Sequence, residues 1–357
     1  MTPPDLSNLP SMRPAEAQAL AAATELLARR RESCRILCTT LGRAQAAIDL
    51  ARLELPTEVS CWFLDLYQQQ LAGEAVGNEL SNLALACETE APAGPFQLAI
   101  APLSMRGEAE LARDTLQAAA QQLEIGGTLI AAVDNPRDQW VREQMSELFP
   151  KVTVRTFDDA IVYVSRKQAE LRKVRDFRCE FTFRDQGRLL RALSRPGVFS
   201  HRRLDAGARQ LIDAAEVTPG MRVLDIGCGA GTVALAMAVR EPSAIVHAVD
   251  GNARAVGCTL AGAELNGLTN LTAELSCDGV YRGAGEYDLA LANPPYYADN
   301  QIAELFVDAA YRSLRPGGQL LIVAKRPDWY AETMPAAWSD VEHWSSKSYC
   351  LVSAFKP

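Results

Sequence analysis

The chain has 357 residues, more than one typical domain needs and enough for two domains that each bury a core. Apolar residues make up 48% and charged residues 22%, and no stretch approaches the roughly 20 apolar residues of a membrane span. The net charge of −8 excludes a protein that coats nucleic acid through a generally basic surface. The first residues lack the apolar core of a secretory signal, so we expect a soluble, cytoplasmic protein.

The nine cysteines do not form a metal-binding pattern. Cys34 and Cys38 lie closest together in the sequence, and no second Cys or His pair accompanies them. In a cytosolic chain such cysteines usually act as small buried hydrophobic side chains. We therefore expect no metal site.

The N-terminal half consists of short apolar runs separated by amphipathic segments, a pattern typical of buried parallel strands that alternate with helices. We assign residues 1–168 to this first domain. The expected strands are Arg35–Cys38, Val59–Leu64, Leu83–Cys87, Leu98–Ala101, Thr128–Val133 and Ala160–Val164.

A basic segment follows in the middle of the chain. Residues 166–203 contain twelve Lys and Arg residues and four Asp and Glu residues. Two interpretations stay open: a solvated linker helix and hairpin, or a surface between two domains that contacts nucleic-acid phosphates. We assign residues 169–200 to this basic linker or hairpin.

The remaining residues, 201–357, repeat the alternation of apolar runs and amphipathic segments. We assign them to a second domain. Its expected strands are Arg222–Ile226, Ile245–Asp250, Leu271–Leu275, Leu289–Ala292, Gln319–Ala324 and Cys350–Phe355.

The two halves resemble each other at three places in the same order. RVLDIGCGAGTVALAMA at 222–238 matches the rhythm of RILCTTLGRAQAAIDLA at 35–51, which lies 187 positions earlier. At an offset of 191, two further matches pair 287–293 with 96–102 and 314–324 with 123–133. The sequence therefore predicts an α/β protein of two tandem Rossmann-like domains.

A glycine-rich turn follows the first strand of the C-terminal half. The sequence DIGCGAG, from Asp225 to Gly231, places three glycines two apart where the strand passes into a helix. Glycines let backbone amides approach a ligand, and the helix N-terminus adds a positive end. The matching segment 38–44 keeps only Gly42 and lacks the aspartate, so we expect the N-terminal copy to have lost its ligand.

An acidic residue ends the next strand. Asp250 lies 19 positions after Gly231, where nucleotide-binding α/β folds place a carboxylate that binds ribose hydroxyls. The turn and this acid together predict a cofactor that contains a ribose. By themselves they would also fit NAD.

The sequence Asn293-Pro294-Pro295-Tyr296 at the end of the fourth strand decides whether NAD or another cofactor with a ribose is expected. The two prolines fix φ and remove two amide donors, so the nearby carbonyl groups are rigid acceptors. The oxygen of Asn293 and the carbonyl of Pro294 can accept both N–H bonds of a planar amino group, while Tyr296 stacks on the group's plane. This arrangement predicts methylation of an amino nitrogen held in line with a sulfonium methyl group. A dehydrogenase would leave the motif unexplained.

With these motifs the chain resembles class I S-adenosylmethionine-dependent methyltransferases that carry an Asn-Pro-Pro-aromatic motif. Within that group it is similar to the small-subunit ribosomal RNA guanine-N2 methyltransferases. That family also pairs a degenerate N-terminal methyltransferase-like domain with an active C-terminal one, so the resemblance covers nearly the whole chain. PGVFS at 196–200 and LDAG at 204–207 look like the family's segment before the glycine turn.

The resemblance implies a role for each motif residue. S-adenosylmethionine would be bound by Asp225, Gly227, Gly229, Gly231, Asp250, Asp278 and Asn293. The catalytic grip on the base would come from Asn293, Pro294 and Tyr296, with further substrate contacts from Pro295, Tyr297, Phe199 and Arg202. The implied partner is RNA, as ribosomal RNA or the small subunit, and the N-terminal domain would position RNA or support the fold without a cofactor.

Several alternatives stay open. The family often has Phe-His after the two prolines, whereas this chain has Tyr296-Tyr297, and Tyr at the first position occurs equally in adenine-N6 and glutamine-N5 methyltransferases. The acceptor could therefore be adenine N6, a protein glutamine or a small amine. A non-catalytic RNA-binding scaffold is a further alternative, and the intact C-terminal motifs beside their decayed copy argue against it.

Overall fold

The protein is described by a computed structural model that covers residues 11–30, 32–280, 285–295, 299–345 and 349–357. The chain divides into two compact units, Met1–Phe177 and Arg178–Pro357. Within the described ranges, no helix combines the length and the apolar character needed to cross a membrane.

The first unit is a seven-stranded sheet with helices between its strands. Its elements are α1 (Pro14–Leu27), β1 (Cys34–Thr39), α2 (Gln45–Ala51), β2 (Thr57–Phe63), α3 (Leu66–Val76), β3 (Leu83–Cys87), β4 (Phe96–Leu103), α4 (Ala109–Gln122), β5 (Leu123–Val133), α5 (Trp140–Leu148), β6 (Thr153–Thr156) and β7 (Ile161–Arg166). The strand order is β3-β2-β1-β4-β5-β7-β6. The first five strands in that order pair in parallel, and β7 lies antiparallel between β5 and β6.

The second unit begins with a hairpin and then repeats this architecture. Its elements are β8 (Cys179–Asp185), β9 (Arg188–Ser194), α6 (Ala206–Ala214), β10 (Arg222–Ile226), α7 (Thr232–Arg240), β11 (Ile245–Asp250), α8 (Ala253–Leu265), β12 (Leu271–Leu275), β13 (Tyr287–Ala292), α9 (Asp299–Ser313), β14 (Leu314–Ala324), α10 (Asp328–Thr333), β15 (Ser339–Ser345) and β16 (Cys350–Phe355). The strand order β12-β11-β10-β13-β14-β16-β15 reproduces that of the first sheet. The predicted fold class, two tandem Rossmann-like α/β units, is confirmed.

The hairpin β8–β9 belongs to the core of the second unit. Phe183, Leu190 and Ala192 are buried in the same hydrophobic cluster as β10 and α7. Its two-residue turn, Gln186-Gly187, has φ of 43° and 79°, as a tight hairpin turn requires. Within the basic segment 169–200, the boundary between the units falls after residue 177, ahead of this hairpin.

One side-chain arrangement occurs in both units. Lys167 Nζ donates to two carbonyl groups at the C-terminal end of α4, at 2.7 and 3.3 Å. Lys356 Nζ donates to two carbonyl groups at the end of α9, both at 2.7 Å. These carbonyls have no partner within their helix, and a cation there also suits the helix dipole. Lys167 is 1% exposed, so it contributes to helix capping and not to a basic surface.

We expect Lys167→Met to lower the free energy of unfolding of the first unit by about 2 kcal/mol, because two carbonyl groups at the helix end, one of them in a buried hydrogen bond, lose their donor. Urea unfolding followed by circular dichroism measures this change. Lys173→Met, at an exposed position a few residues later, is the control and should change stability little. Equal stability of the two variants would contradict the capping role.

Candidate active site

The glycine turn lies between β10 and α7. Gly227, Gly229 and Gly231 have φ of 72°, 55° and 73°, the left-handed region that favours glycine. A Cβ on Gly227 would lie 2.8 Å from the Phe306 ring, and one on Gly231 would lie 2.7 Å from Thr259 Oγ1. The glycines therefore let α8 and α9 pack closely against the turn.

Two carboxylates stand beside this turn. Asp225 is 2% exposed, and its Oδ2 accepts a hydrogen bond from the Ala234 amide at 3.0 Å. Asp250 accepts from the Gly229 amide through Oδ2 at 2.9 Å and from the Asn252 amide through Oδ1 at 2.8 Å. Burial raises the pKa of Asp225 to about 7 against the Ala234 hydrogen bond, and the Asp250 charge adds to the rise. A ligand that brings a positive group would suit this pair.

The segment before α6, residues 196–205, is held by the first turn of α8; we call it the lead-in segment. Arg254 is fully buried and its Nη1 donates to the Pro196 carbonyl at 2.9 Å. Asn252 caps α8 with its side-chain oxygen and donates from Nδ2 to the Gly197 carbonyl at 2.9 Å. Because α8 begins three residues after Asp250, these bonds connect the lead-in segment to the end of β11.

The end of the lead-in segment contacts the Asn-Pro-Pro motif. Asp205 caps α6, because its Oδ2 accepts from the amides of Gly207 and Ala208 at 2.8 and 3.2 Å. The same oxygen accepts from Asn293 Nδ2 at 2.9 Å. A carboxylate can only accept hydrogen bonds, so the NH₂ end of the Asn293 side chain must face Asp205. The carboxamide oxygen of Asn293 is thereby turned away from Asp205.

A small cavity lies between the lead-in segment, the glycine turn and Asn293. Of the predicted site residues, those that line it are Phe199, Asp225, Gly227, Gly229 and Asn293. Residues that line it without having been predicted include Ser200, Arg203, Asp205 and Thr232. Phe199 is 51% exposed, which leaves an aromatic face beside the turn. Pro294 is buried and Pro295 is half-buried, next to Asn293.

The other predicted site residues that the structure describes lie outside this lining. Asp278 follows β12, and its Oδ1 accepts from Ser276 Oγ at 2.8 Å and from the Val280 amide at 3.1 Å. Burial acts to raise the pKa of Asp278, but these hydrogen bonds and the Arg312 charge outweigh it and lower the pKa. Arg202 has an exposed side chain, and its amide donates to the hydroxyl of Ser194. Tyr296 and Tyr297 lie outside the described residues.

The structure also adds residues that the sequence analysis did not single out. The position of Asp205 directly before an apolar helix is an N-cap signal that could have been recognised. Arg254 had no such signal, because its partner Pro196 lies 58 positions away. In the described ranges, no group of three or more His, Cys, Asp or Glu residues is arranged to hold a metal ion.

We expect Asp225→Asn to remove a pH dependence of stability. Because the carboxyl pKa is raised from 3.8 to about 7 in the folded protein, folding retains a proton that the unfolded chain releases. Wild-type stability should therefore fall as pH rises through that window and level off above it. Urea unfolding of both proteins between pH 4.5 and 8 tests this, and an unchanged pH profile in the variant would contradict it.

Comparison with known proteins finds matches among methyltransferases. Residues 190–352 match the family model described as "Methyltransferase small domain". The ribosomal RNA small subunit methyltransferase C of Pseudomonas entomophila is 37% identical over 139 residues, 38% of this chain and 41% of that protein. The protein of the same name from Shewanella piezotolerans is 33% identical over 189 residues, 51% of this chain and 54% of that protein. The chain thus matches about half of these relatives' length.

A solved structure extends the likeness to both units. The T. thermophilus 16S rRNA N2 methyltransferase, in complex with AdoMet and guanosine, has a TM-score of 0.78 and is 22% identical to this chain. The match covers 96% of this chain and 92% of that one, which shows a shared two-unit fold. Residues 190–352 of the second unit thus match a methyltransferase small domain, and the expected resemblance to small-subunit ribosomal RNA methyltransferases is confirmed as a similarity over about half of those proteins' length.

Proposed function

We propose that this chain is an S-adenosylmethionine-dependent N-methyltransferase that acts on the exocyclic amine, N2, of a guanine in ribosomal RNA. The observation that carries this proposal is the carboxamide of Asn293, which Asp205 fixes in one orientation at the cavity beside the glycine turn. Relatives that are 33 to 37% identical over the matched segment and are named ribosomal RNA small subunit methyltransferases support the substrate class.

The donors and acceptors around the turn fit S-adenosylmethionine, which supplies an electrophilic methyl group on a positively charged sulfur when it is bound. Asp250 would accept hydrogen bonds from the ribose hydroxyls, as acids at the end of this strand do. The turn from Gly227 to Gly231 would hold the methionine portion. A cationic ligand would favour the charged form of Asp225, whose pKa burial raises to about 7, and Asp278 would face the adenine amino group.

The Asn-Pro-Pro motif would position the amine. With its NH₂ end bonded to Asp205, Asn293 presents its oxygen as an acceptor for one amine hydrogen, and the carbonyl of Pro294 accepts the other. These bonds hold the nitrogen in line with the methyl group, and alignment of this kind supplies most of the rate enhancement. S-adenosylmethionine would supply the methyl group when bound, and the methylated nitrogen would release its proton to water. Tyr296 would stack on the base.

One exposed arginine at the cavity supports RNA as the partner. Arg203 lines the cavity and suits a phosphate contact. Arg184 and Arg188 on the hairpin are exposed too, but Arg188 donates to the Val239 carbonyl at the C-terminal end of α7, away from the glycine turn, and Arg191 is paired with Glu180 at 2.6 Å. The target base must leave its stack to reach the methyl group. Such a substrate would place the protein in the cytoplasm.

We expect Asn293→Ala to lower methyl transfer at least 100-fold, because the amine loses a fixed acceptor. The assay follows labelled methyl transfer from S-adenosylmethionine to total RNA, small ribosomal subunits and a protein lysate. The wild type should label ribosomal RNA as N2-methylguanine, and Asn78→Ala, at an exposed position in the first unit, is the matched control. Label as N6-methyladenine, label in protein alone, or no label would overturn the guanine assignment.

We also expect Asp205→Ser to lower kcat about tenfold while leaving the Kd for S-adenosylmethionine within twofold. Serine still caps α6, but it is too short to hold the Asn293 amide. Asp205→Asn retains an acceptor oxygen and should restore most of the activity. A serine variant with wild-type kcat would refute the positioning role of Asp205.

A further inference from the structure

The first unit contains a cavity of about 610 Å³ where β1, β2 and β4 end. Its lining includes Thr40 and Gly42, which follow β1. It also includes Phe63, the last residue of β2, Asp65 just after β2, and Leu103, the last residue of β4. Because the two sheets have the same strand order, this is the position that the glycine turn and Asp250 occupy in the second unit. Its volume is that of a site for a small organic ligand.

The turn in the first unit keeps the shape of its counterpart but uses its own side chains as partners. Ala44, which corresponds to Gly231, has a left-handed φ of 60° and begins α2 as Gly231 begins α7. Thr40 Oγ1 accepts from the amides of Gly42 and Ala44 at 3.0 and 3.1 Å. Gln45 Oε1 accepts from the Arg43 amide at 3.0 Å. A ligand carboxylate would have to displace these bonds, which argues against the methionine portion of S-adenosylmethionine.

The two acidic residues of the second unit's site have no acidic counterpart in the first unit. Cys38 and Phe63 stand 187 positions before Asp225 and Asp250. A carboxylate from another element, Glu16 of α1, is 1% exposed and accepts from Thr40 Oγ1 at 3.3 Å and from the Ala46 amide at 3.4 Å. Its role is to hold the turn and the first turn of α2. At the position that corresponds to Asp250, the cavity wall is therefore aromatic.

The lining now suits an uncharged ligand with one flat face. Phe63, Leu103 and Leu111 form apolar wall, and the polar side chains at the rim carry both signs of charge: Arg13, Arg43, Asp65 and Glu108. Such a rim gives no net attraction for an anion, which disfavours a ligand that carries a phosphate group into the cavity. Asp65 lies two positions beyond Phe63 and offers a carboxylate to sugar hydroxyls.

We propose that this cavity binds a neutral ribonucleoside, either free or as an unstacked residue of an RNA chain. The base would pack against the apolar wall and the ribose would lie at Asp65. The first unit would then be a second nucleoside-binding site, different in chemistry from the cofactor site of the second unit.

The test is equilibrium dialysis of the full-length protein with labelled adenosine, guanosine, cytidine and uridine. Ala112→Trp introduces a large side chain at a half-buried position of α4 that lines the cavity. Ala109→Trp, at an exposed position of α4 outside the lining, is the matched control. At least one ribonucleoside should bind, with affinity at least tenfold weaker in Ala112→Trp and unchanged in Ala109→Trp. Absence of binding, or equal binding by the two variants, would overturn the proposal.

A second variant keeps the test valid if Ala112→Trp fails to fold. It also distinguishes binding at this cavity from binding at the cofactor site. Asp65→Ser keeps a capping residue on α3 but removes the carboxylate. It should weaken ribonucleoside binding and leave the binding of the 2′,3′-dideoxynucleoside unchanged. A nucleoside signal that Asp250→Ala abolishes and Asp65→Ser leaves intact would refute the assignment to this cavity. Single-stranded RNA distinguishes the source: weaker RNA binding by Ala112→Trp indicates an RNA residue, and unchanged RNA binding indicates a free nucleoside.

Discussion

Both units depend on one backbone constraint, the abrupt passage from a central parallel strand into a helix. A residue with left-handed φ makes this passage possible in each case: Gly231 before α7 and Ala44 before α2. For alanine this conformation costs on the order of 1 kcal/mol, which is offset where the surrounding bonds fix it. In the first unit the acceptors are side chains of the turn itself, Thr40 and Gln45. In the second unit glycine avoids the steric cost, and the Gly229 amide donates to Asp250 at the end of the neighbouring strand. The two turns satisfy the same constraint with different partners.

The sequence revealed the central strands because burial on both faces requires continuous apolar runs. The edge strands β6 and β15 were missed, since most of their residues are exposed and polar and leave no such run. The hairpin β8–β9 was foreseen only as one of two options for the basic segment. Its alternation of buried and exposed residues, with Phe183 and Leu190 facing the core, is short and interrupted by arginines.

Candidate site residues could be named from the sequence where they belong to one short motif, because the spacing within the motif indicates its chemistry. The glycine turn and Asn293 belong to this class, and the structure brings them to one cavity. The contacts that orient them could not be predicted in the same way. Asp205 and Asn293 are 88 positions apart, and only the fold brings the carboxylate to the amide. Residues that support a site through distant partners lack a sequence spacing to recognise.

The tie between α8 and the lead-in segment has a consequence for how ligands affect one another. Asn252 and Arg254 hold the carbonyls of Gly197 and Pro196, while Asp250 binds the amides of Asn252 and Gly229. A ligand that stiffens Asp250 would therefore also stiffen the lead-in segment, whose last residue, Asp205, accepts a hydrogen bond from Asn293. Any entropy cost of ordering that segment would then be met once, by whichever ligand arrives first. Two ligands that share such a cost would bind with positive cooperativity, and each would raise the affinity for the other by the same factor.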